Sequence, residues 1–165
     1  MTNDAVKHRP GFNGLAADRY LGMIALIERV HRHFLEVVKL ELDNLAVRDI
    51  NCVQGLMLFN IGDAEMTVGE LTSRGCYQGA NVSYNLKKMV DNDYVIQNRS
   101  TYDRRVSHVR LTEKGRKLRE RLESMHERHI VMLTQLDITD EDMRGVTTTL
   151  HRLEALWGGI GNIIL

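Results

Sequence analysis

Apolar residues recur along the chain at helical steps in four stretches, and two short segments between them are β-prone. From about Leu15 to Leu45, Leu21, Ile24, Ile27, Phe34, Val38, Leu42 and Leu45 fall three or four residues apart. This spacing predicts one long helix, broken at Asp43-Asn44. A helix of that length seldom buries its stripe within its own small domain, so a partner helix is expected. Before it, residues 1–14 are polar and carry the turn signals Pro10-Gly11 and Asn13-Gly14, which read as an arm.

Shorter helices follow. Asn51 is placed to cap a helix from Cys52 to about Asn60, with Val53, Leu56, Met57 and Phe59 apolar. Ile61-Gly62-Asp63 ends it. Thr67 and Glu70 form a capping box that opens a helix from Val68 to about Arg74, stopped by Gly75. A turn from Gly75 to Gly79 leads to a helix from about Ala80 to Asn92, on which Val82, Leu86 and Met89 share one face. The period then changes. Residues 94–98 and 106–111 are β-prone and flank the Arg-rich loop 99–105, which predicts a hairpin. Thr112 caps a second long helix, about Glu113 to Leu136. Thr139 opens the last, to about Trp157, with the stripe Met143, Val146, Leu150, Leu153 and Trp157 and with Gly158, Gly159 and Gly161 as its end. The fold class is mainly α with a small β-hairpin.

Composition narrows the function. No apolar run approaches the roughly 18 residues of a membrane span, and the N-terminal residues lack the apolar stretch of a signal peptide, so a cytoplasmic chain without membrane contact is expected. Cys52 and Cys76 are too few for a disulfide framework. The 22 basic and 22 acidic residues cancel, but not locally. Between Arg74 and Arg121 there are 12 basic and 5 acidic residues, a surplus of +7 that the flanks offset. A basic middle between acidic ends fits either a polyanion-binding surface or a solvated face. No phosphate-cradling Gly loop, HExxH motif or nucleophile–base–acid spacing is present, so no enzyme is expected.

A short helix, a tight turn and a second helix make a helix-turn-helix, and the hairpin after it is a wing. Two stretches carry a resemblance. Thr67-Val68-Gly69-Glu70-Leu71 through Leu86-Lys87-Lys88-Met89-Val90 to Tyr94-Val95 is similar to the MarR family of winged helix-turn-helix regulators. So is the run from Asp103-Arg104-Arg105 through Leu111-Thr112-Glu113-Lys114-Gly115, which resembles that family's wing signature. Within the family, residues 61–67 and 79–85 look like a subgroup regulating L,D-transpeptidases of the cell wall.

With Val82, Leu86 and Met89 buried, Asn81, Tyr84, Asn85 and Lys88 turn outward, toward a major groove that admits a helix. Ser83 and Lys87 lie at the edge of that face, suited to backbone contact. The wing tip presents Arg104 and Arg105. The resemblance implies that Arg105 enters the minor groove while Asp103 orients it through a charge-assisted pair. Lys114, Arg116 and Lys117 would be more distant phosphate or solvent contacts. Two positions depart from the family: Asp93 stands where Gly is common, and the turn 76–79 lacks a Ser or Asp cap. Asp93 must then take a left-handed turn or end the helix differently.

The resemblance further implies a homodimer on a near-palindromic operator and repression by promoter occlusion, relieved by a ligand. The expected organisation is an arm (1–14), a dimerisation helix (15–45), a winged helix-turn-helix DNA-binding domain (46–112) and C-terminal dimerisation helices (113–165). No cofactor is expected. The candidate effector is a small aromatic or phenolic molecule, in a crevice bordered by the first long helix, the 51–60 helix and the start of the Thr112 helix. Three alternatives stay open. His126 and His129, one helical turn apart, suit a metal sensor, although no four-ligand set is visible and His31 and His33 diverge. Cys52 at a helix start, or Cys76 in the turn, suits a redox sensor. A winged-helix module that docks on protein would lack steep salt dependence.

Overall fold

The computed structural model describes residues 14–75, 79–103 and 105–164. Most of the expected arm, the turn residues Cys76, Tyr77 and Gln78, and Arg104 at the wing tip lie outside the described residues. The chain divides into two compact units, Met1–Arg119 and Glu120–Leu165.

The first unit opens with α1, Gly14–Asn44. It ends in a reverse turn in which the Ala46 N–H donates to the Asp43 carbonyl and the Val47 N–H to the Leu42 carbonyl. Ala46 takes the left-handed φ of 57° that this turn requires. The next helix, α2, spans Cys52–Ile61. Asn51 caps it as expected, and Gln54 completes a capping box that the sequence reading did not include. The helix runs one residue past its expected end because Ile61 is buried, and Gly62 at φ 69° stops it.

Met66–Thr67 forms a two-residue strand, β1, followed directly by α3, Val68–Arg74. Thr67 Oγ1 accepts from the Glu70 N–H at 3.1 Å while Glu70 Oε2 accepts from the Thr67 N–H at 2.7 Å, which is the expected box. Next come α4 (Gly79–Asp91), β2 (Val95–Arg99) and β3 (Ser107–Leu111). The sheet is antiparallel in the order β1-β3-β2. The expected two-stranded hairpin is therefore corrected to three strands. Met66 pairs with Val109 and Thr67 with His108, across more than forty residues of chain. Two residues carry no alternation, so only the pairing distinguishes them from loop.

The core of this unit lies between the helices and the sheet. Met57, Leu58, Leu71, Val82, Leu86, Met89, Val95, Val109 and Leu111 are all buried. Burial of side chains of this size stabilises by about 1.5–3 kcal/mol each. The end of α4 repeats the turn that ends α1. The Asp93 N–H donates to the Val90 carbonyl, the Tyr94 N–H to the Met89 carbonyl, and Asp93 sits at φ 59°. Of the two ways the sequence left open, the left-handed turn is the one adopted.

The helix α5, Glu113–Gln135, starts on Thr112, whose hydroxyl donates to the Asp93 carbonyl (2.7 Å) and accepts from the Gly115 N–H (3.0 Å). Gly115 has no substitute there, because a Cβ would lie 2.1 Å from the Tyr94 carbonyl oxygen.

In the second unit, α5 ends at a turn with Asp137 at φ 53°, and α6 spans Asp140–Ile164. Thr139 and Asp142 cap α6 reciprocally. The expected stop at Gly158, Gly159 and Gly161 is corrected: α6 continues through all three. Glycine lowers helix propensity by about 1 kcal/mol per residue but removes no hydrogen bond, and no proline follows. On α6, Met143, Val146, Leu150, Trp157 and Ile160 stay exposed. No helix among the described residues is long and apolar enough to cross a membrane.

Candidate nucleic-acid interface

The face of α4 opposite its core is assembled by burial alone. Val82, Leu86 and Met89 are fully buried, which forces Asn81, Ser83, Tyr84, Lys87 and Lys88 outward. Tyr84 is 62% exposed. Asn85 departs from the expectation. It is half-buried, its Oδ1 accepts from Gln54 Nε2 at 3.2 Å, and its Nδ2 donates to the Asn81 carbonyl at 2.8 Å. Its amide ties α4 to α2 rather than facing solvent freely. Gln54, itself buried, is satisfied by the same arrangement.

The wing tip is held by two short side chains. Ser100 Oγ accepts from the Tyr102 and Asp103 N–H groups at 3.2 and 3.3 Å. The Ser100 N–H donates to the Val106 carbonyl, and the Val106 N–H to the Asp103 carbonyl. Asp103 Oδ1 accepts from the Arg105 backbone N–H at 2.9 Å. The expected side-chain pair between Asp103 and Arg105 is thus corrected to a backbone bond. Asp103 shapes the turn that presents Arg105 and leaves the guanidinium exposed. Arg104 lies outside the described residues.

The two halves meet across a groove of about 450 Å³ whose walls include Ser83 from α4, Arg105 from the wing and Gln97 from β2. The floor belongs to α3, with Thr72 and Gly69, and to β1, with Thr67. Thr67 and Thr72 spend their hydroxyls locally, on Glu70 and on the Val68 carbonyl. Gln97 is the residue sequence reasoning missed. The sequence of β2, two apolar residues followed by three polar ones, does not single it out; only the register, which sets Gln97 opposite Val109, does. Tyr102 is fully exposed on the same tip.

Charge sorts the basic residues into two sets. Lys87, Lys88, Arg99, Arg105 and Arg110 have no carboxylate partner among the described residues. Lys114, Arg116 and Lys117, expected as outer phosphate or solvent contacts, are instead engaged within the chain. Arg116 and Lys117 both reach Glu113, and Arg119 pairs with Asp63 at 2.8 Å. Lys114 Nζ lies 2.8 Å from Asp49 Oδ2, donates to the Asn92 carbonyl and stands 4.0 Å over the Tyr94 ring. The Tyr94 hydroxyl donates to Asp49 Oδ1 at 2.8 Å. Burial alone would raise the Asp49 pKa, but the bonds from Lys114 and Tyr94 outweigh it and hold the carboxylate below its ordinary value. The Asp49 bond raises the Lys114 pKa, and burial followed by Asp49 raises that of Tyr94.

The alternative sensors find these positions. Cys52 is a half-buried free thiol, and Cys76 lies outside the described residues. The His126 and His129 rings stand edge to face, 6.2 Å apart, and burial, then His129, lowers the His126 pKa. Among the described residues no three His, Cys, Asp or Glu gather as a metal site.

Residues 51–115 match the winged helix DNA-binding domain family. The exopolysaccharide II synthesis transcriptional activator ExpG of Rhizobium meliloti is 38% identical over 153 residues, which cover 93% of this chain and 78% of that one. Among solved structures, FabT of Streptococcus pneumoniae in complex with DNA superposes with a TM-score of 0.66 at 21% identity, covering 86% of this chain and 99% of that one. A MarR protein from Peptoclostridium difficile superposes at 0.70 and 16% identity, covering 94% and 93%. The relative in sequence is a transcriptional regulator over nearly the whole chain, and the fold that carries the interface is that of MarR proteins. The chain belongs to the same family as that activator, one of winged helix, DNA-binding transcriptional regulators, and has the fold of MarR proteins.

Proposed function

We propose that the chain binds a near-palindromic operator as a homodimer, each copy laying the Asn81, Tyr84 and Lys88 face of α4 in a major groove and Arg105 in the adjacent minor groove. Ser83 and Lys87 contact backbone, and Asp103 and Arg104 shape and extend the wing tip. Asn85 braces the helix and offers at most an edge. The observation that carries this reading is the groove that joins Ser83 and Arg105 beside cations with no carboxylate partner. A Lys or Arg with no protein partner is free to replace the counterions of a phosphate.

The exposed stripe of α6 supports the dimer, since Met143, Val146, Leu150 and Trp157 are larger and more contiguous than scattered surface residues. Two copies place their recognition helices about 34 Å apart, one turn of duplex. The family resemblance supports a small aromatic or phenolic effector and repression by occlusion. The two short motifs at residues 61–67 and 79–85 support regulation of cell-wall L,D-transpeptidases. A second reading of the sign is favoured by the relative that is itself an activator. A site overlapping the promoter core supports the first sign, and one upstream of it the second.

The test is selection of binding sites from random duplex DNA, followed by sedimentation of the complex. A two-fold symmetric site bound by two chains is expected, with affinity falling by a factor of roughly 10³–10⁵ between 50 and 200 mM salt if six to ten phosphates are used. An asymmetric site bound by one chain would refute the dimeric operator reading. Salt-insensitive binding would point to the protein-docking module.

A further inference from the structure

The helix α4 carries two asparagines one turn apart, Asn81 and Asn85, and the chain treats them differently. The Asn81 side chain is exposed and has no hydrogen-bond partner among the described residues. The Asn85 amide instead sits inside a series of hydrogen bonds that begins in α2. The Asn51 N–H donates to Gln54 Oε1 at 3.0 Å. Gln54 Nε2 donates to Asn85 Oδ1 at 3.2 Å, and Asn85 Nδ2 donates to the Asn81 carbonyl at 2.8 Å. Both ends of the series are backbone groups. An N–H only donates and a carbonyl only accepts, so these ends set the direction of every bond between them. Turning the Asn85 amide end for end would set its nitrogen against the Gln54 nitrogen and its oxygen against the Asn81 carbonyl. Gln54 cannot turn to relieve this, because its oxygen is held by the Asn51 N–H and, at 4% exposure, it would forfeit a buried bond.

The lock has a chemical consequence. An asparagine singles out adenine by offering its oxygen to the N6 amino group and its nitrogen to N7 at once. Asn85 has its oxygen turned to Gln54 and one amide hydrogen committed to Asn81, which leaves it one N–H. A single N–H finds an acceptor on guanine, adenine or thymine and does not tell them apart. Asn81 enters the series only through its backbone, so both ends of its own amide stay available.

We propose that Gln54 is a positioning residue that sets base specificity without touching DNA: it locks Asn85 as a donor and so withholds a second adenine-reading amide from α4. The effect on specificity rests on the reading of α4 in a major groove, while the lock itself belongs to the free chain. Asn85 then braces α4 and tolerates several bases, and adenine is read from the Asn81 position alone.

The experiment compares the full chain with its Gln54→Met variant, which removes the donor and keeps the length of the side chain. The Asn51 side chain still accepts from the N–H of position 54, so α2 keeps its cap. Three-bond NMR couplings of the free chain read the lock. Asn85 is expected to hold one χ1 rotamer in the parent and to average between rotamers in Gln54→Met. Averaging in the parent, or one unchanged rotamer in the variant, overturns the lock. Fluorescence anisotropy then reads affinity for the selected operator and for every single base-pair substitution across it. Gln54→Met is expected to gain a preference for adenine of at least about tenfold at one position in each half-site, the yield of one bidentate contact. The gain should vanish when Asn85→Ala is added to Gln54→Met, and Asn85→Ala alone should weaken all sites alike. A merely structural role for Gln54 would weaken every site together and create no new preference, and that result overturns the proposal. So does an adenine preference of the parent that Asn85→Ala erases, an arm that leaves the buried residue intact should Gln54→Met fail to fold. A parent that binds no DNA refutes the operator reading, while the Asn85 rotamer still decides the lock.

Discussion

Two regions of the molecule, the winged part of the first unit and the last helix, treat apolar surface in opposite ways. In the winged part, the side chains that the periodicity picks out, such as Val82, Leu86 and Met89, disappear into a core made by the chain itself, whereas Leu21 near the start of α1 stays 63% exposed. In the second, the equally periodic stripe of α6 leaves Val146 at 56% and Leu150 at 44% exposed. Periodicity therefore marks which positions are meant for burial, and the number of elements within reach decides whether one chain can bury them. The winged unit packs helices on a sheet. The C-terminal helices present a stripe sized for something beyond themselves, which is why the dimer is proposed from this region and the DNA contacts from the other.

The sharpest way to separate the two is to break each in turn. Gly115→Ala strikes the first unit at a backbone contact that cannot yield, because its Cβ would meet the Tyr94 carbonyl that also accepts the Thr112 N–H. We expect a loss of about 3 kcal/mol or more, read as a fall in thermal midpoint of about 10 °C by circular dichroism. Val146→Asp combined with Leu150→Asp strikes only the stripe. Each apolar side chain withheld from an interface forfeits about 1.5 kcal/mol or more, so dimer dissociation should strengthen by at least about 100-fold. Sedimentation velocity would show the 18.9 kDa monomer with its near-native far-ultraviolet spectrum. A dimer that persists would remove α6 from the interface.

Smaller effects sharpen the comparison within the first unit. Asp49→Asn weakens the clasp on Lys114 and Tyr94. Both charged partners are more than 40% exposed, so the loss is held to about 1 kcal/mol, or about 3 °C, at neutral pH. The Asp49 pKa is lowered in the folded chain, so its contribution is present above the ordinary carboxylate value of about 3.9 and is lost as pH falls through the folded value. The Lys114 pKa is raised, so its contribution holds below about 10.4 and is lost as pH rises through the folded value. The difference in melting between parent and variant should therefore be level between about pH 5 and 9 and vanish in strong acid. Asp93→Gly should act in the opposite direction. Asp93 holds a left-handed φ of 59° that costs an L-residue about 1–2 kcal/mol, partly offset by the chain entropy of glycine. A gain of about 0.5 kcal/mol in urea denaturation is expected, and a loss would mean that the Asp93 side chain does something the turn does not require.

Local signals were legible in the sequence and non-local ones were not. The Thr67–Glu70 box and the Asn51 cap depend on residues three apart, and both form as read. The left-handed turn at Asp93 follows from the chain needing to reverse where glycine is absent. By contrast, β1 exists only through pairing with Val109 and His108, and two residues carry no pattern of their own. Lys114 looked like one more cation of a basic run, and only the approach of Asp49, 65 residues earlier, turns it into part of a clasp. Asn85 looked outward by helical phase, yet Gln54 claims it from a neighbouring helix. The glycines near the end of α6 read as a stop because glycine so often ends helices, but here the backbone bonds continue. For the candidate interface, spacing placed Asn81, Tyr84 and Lys88 on one face, and it could not show that Gln97 shares a groove with Arg105.

The central claim is that the α4 face and the wing tip grip one duplex together. The most direct measurement is anisotropy of a selected operator with Arg105→Glu, with Asn81→Ala plus Lys88→Ala, and with the three changes combined. These residues are exposed, so folding stability should stay within about 0.5 kcal/mol of the parent. The account predicts a loss of operator affinity of at least tenfold for each set, from about 1–3 kcal/mol per base contact, and near-complete loss for the combination. Operator affinity unchanged in the folded triple variant would contradict it.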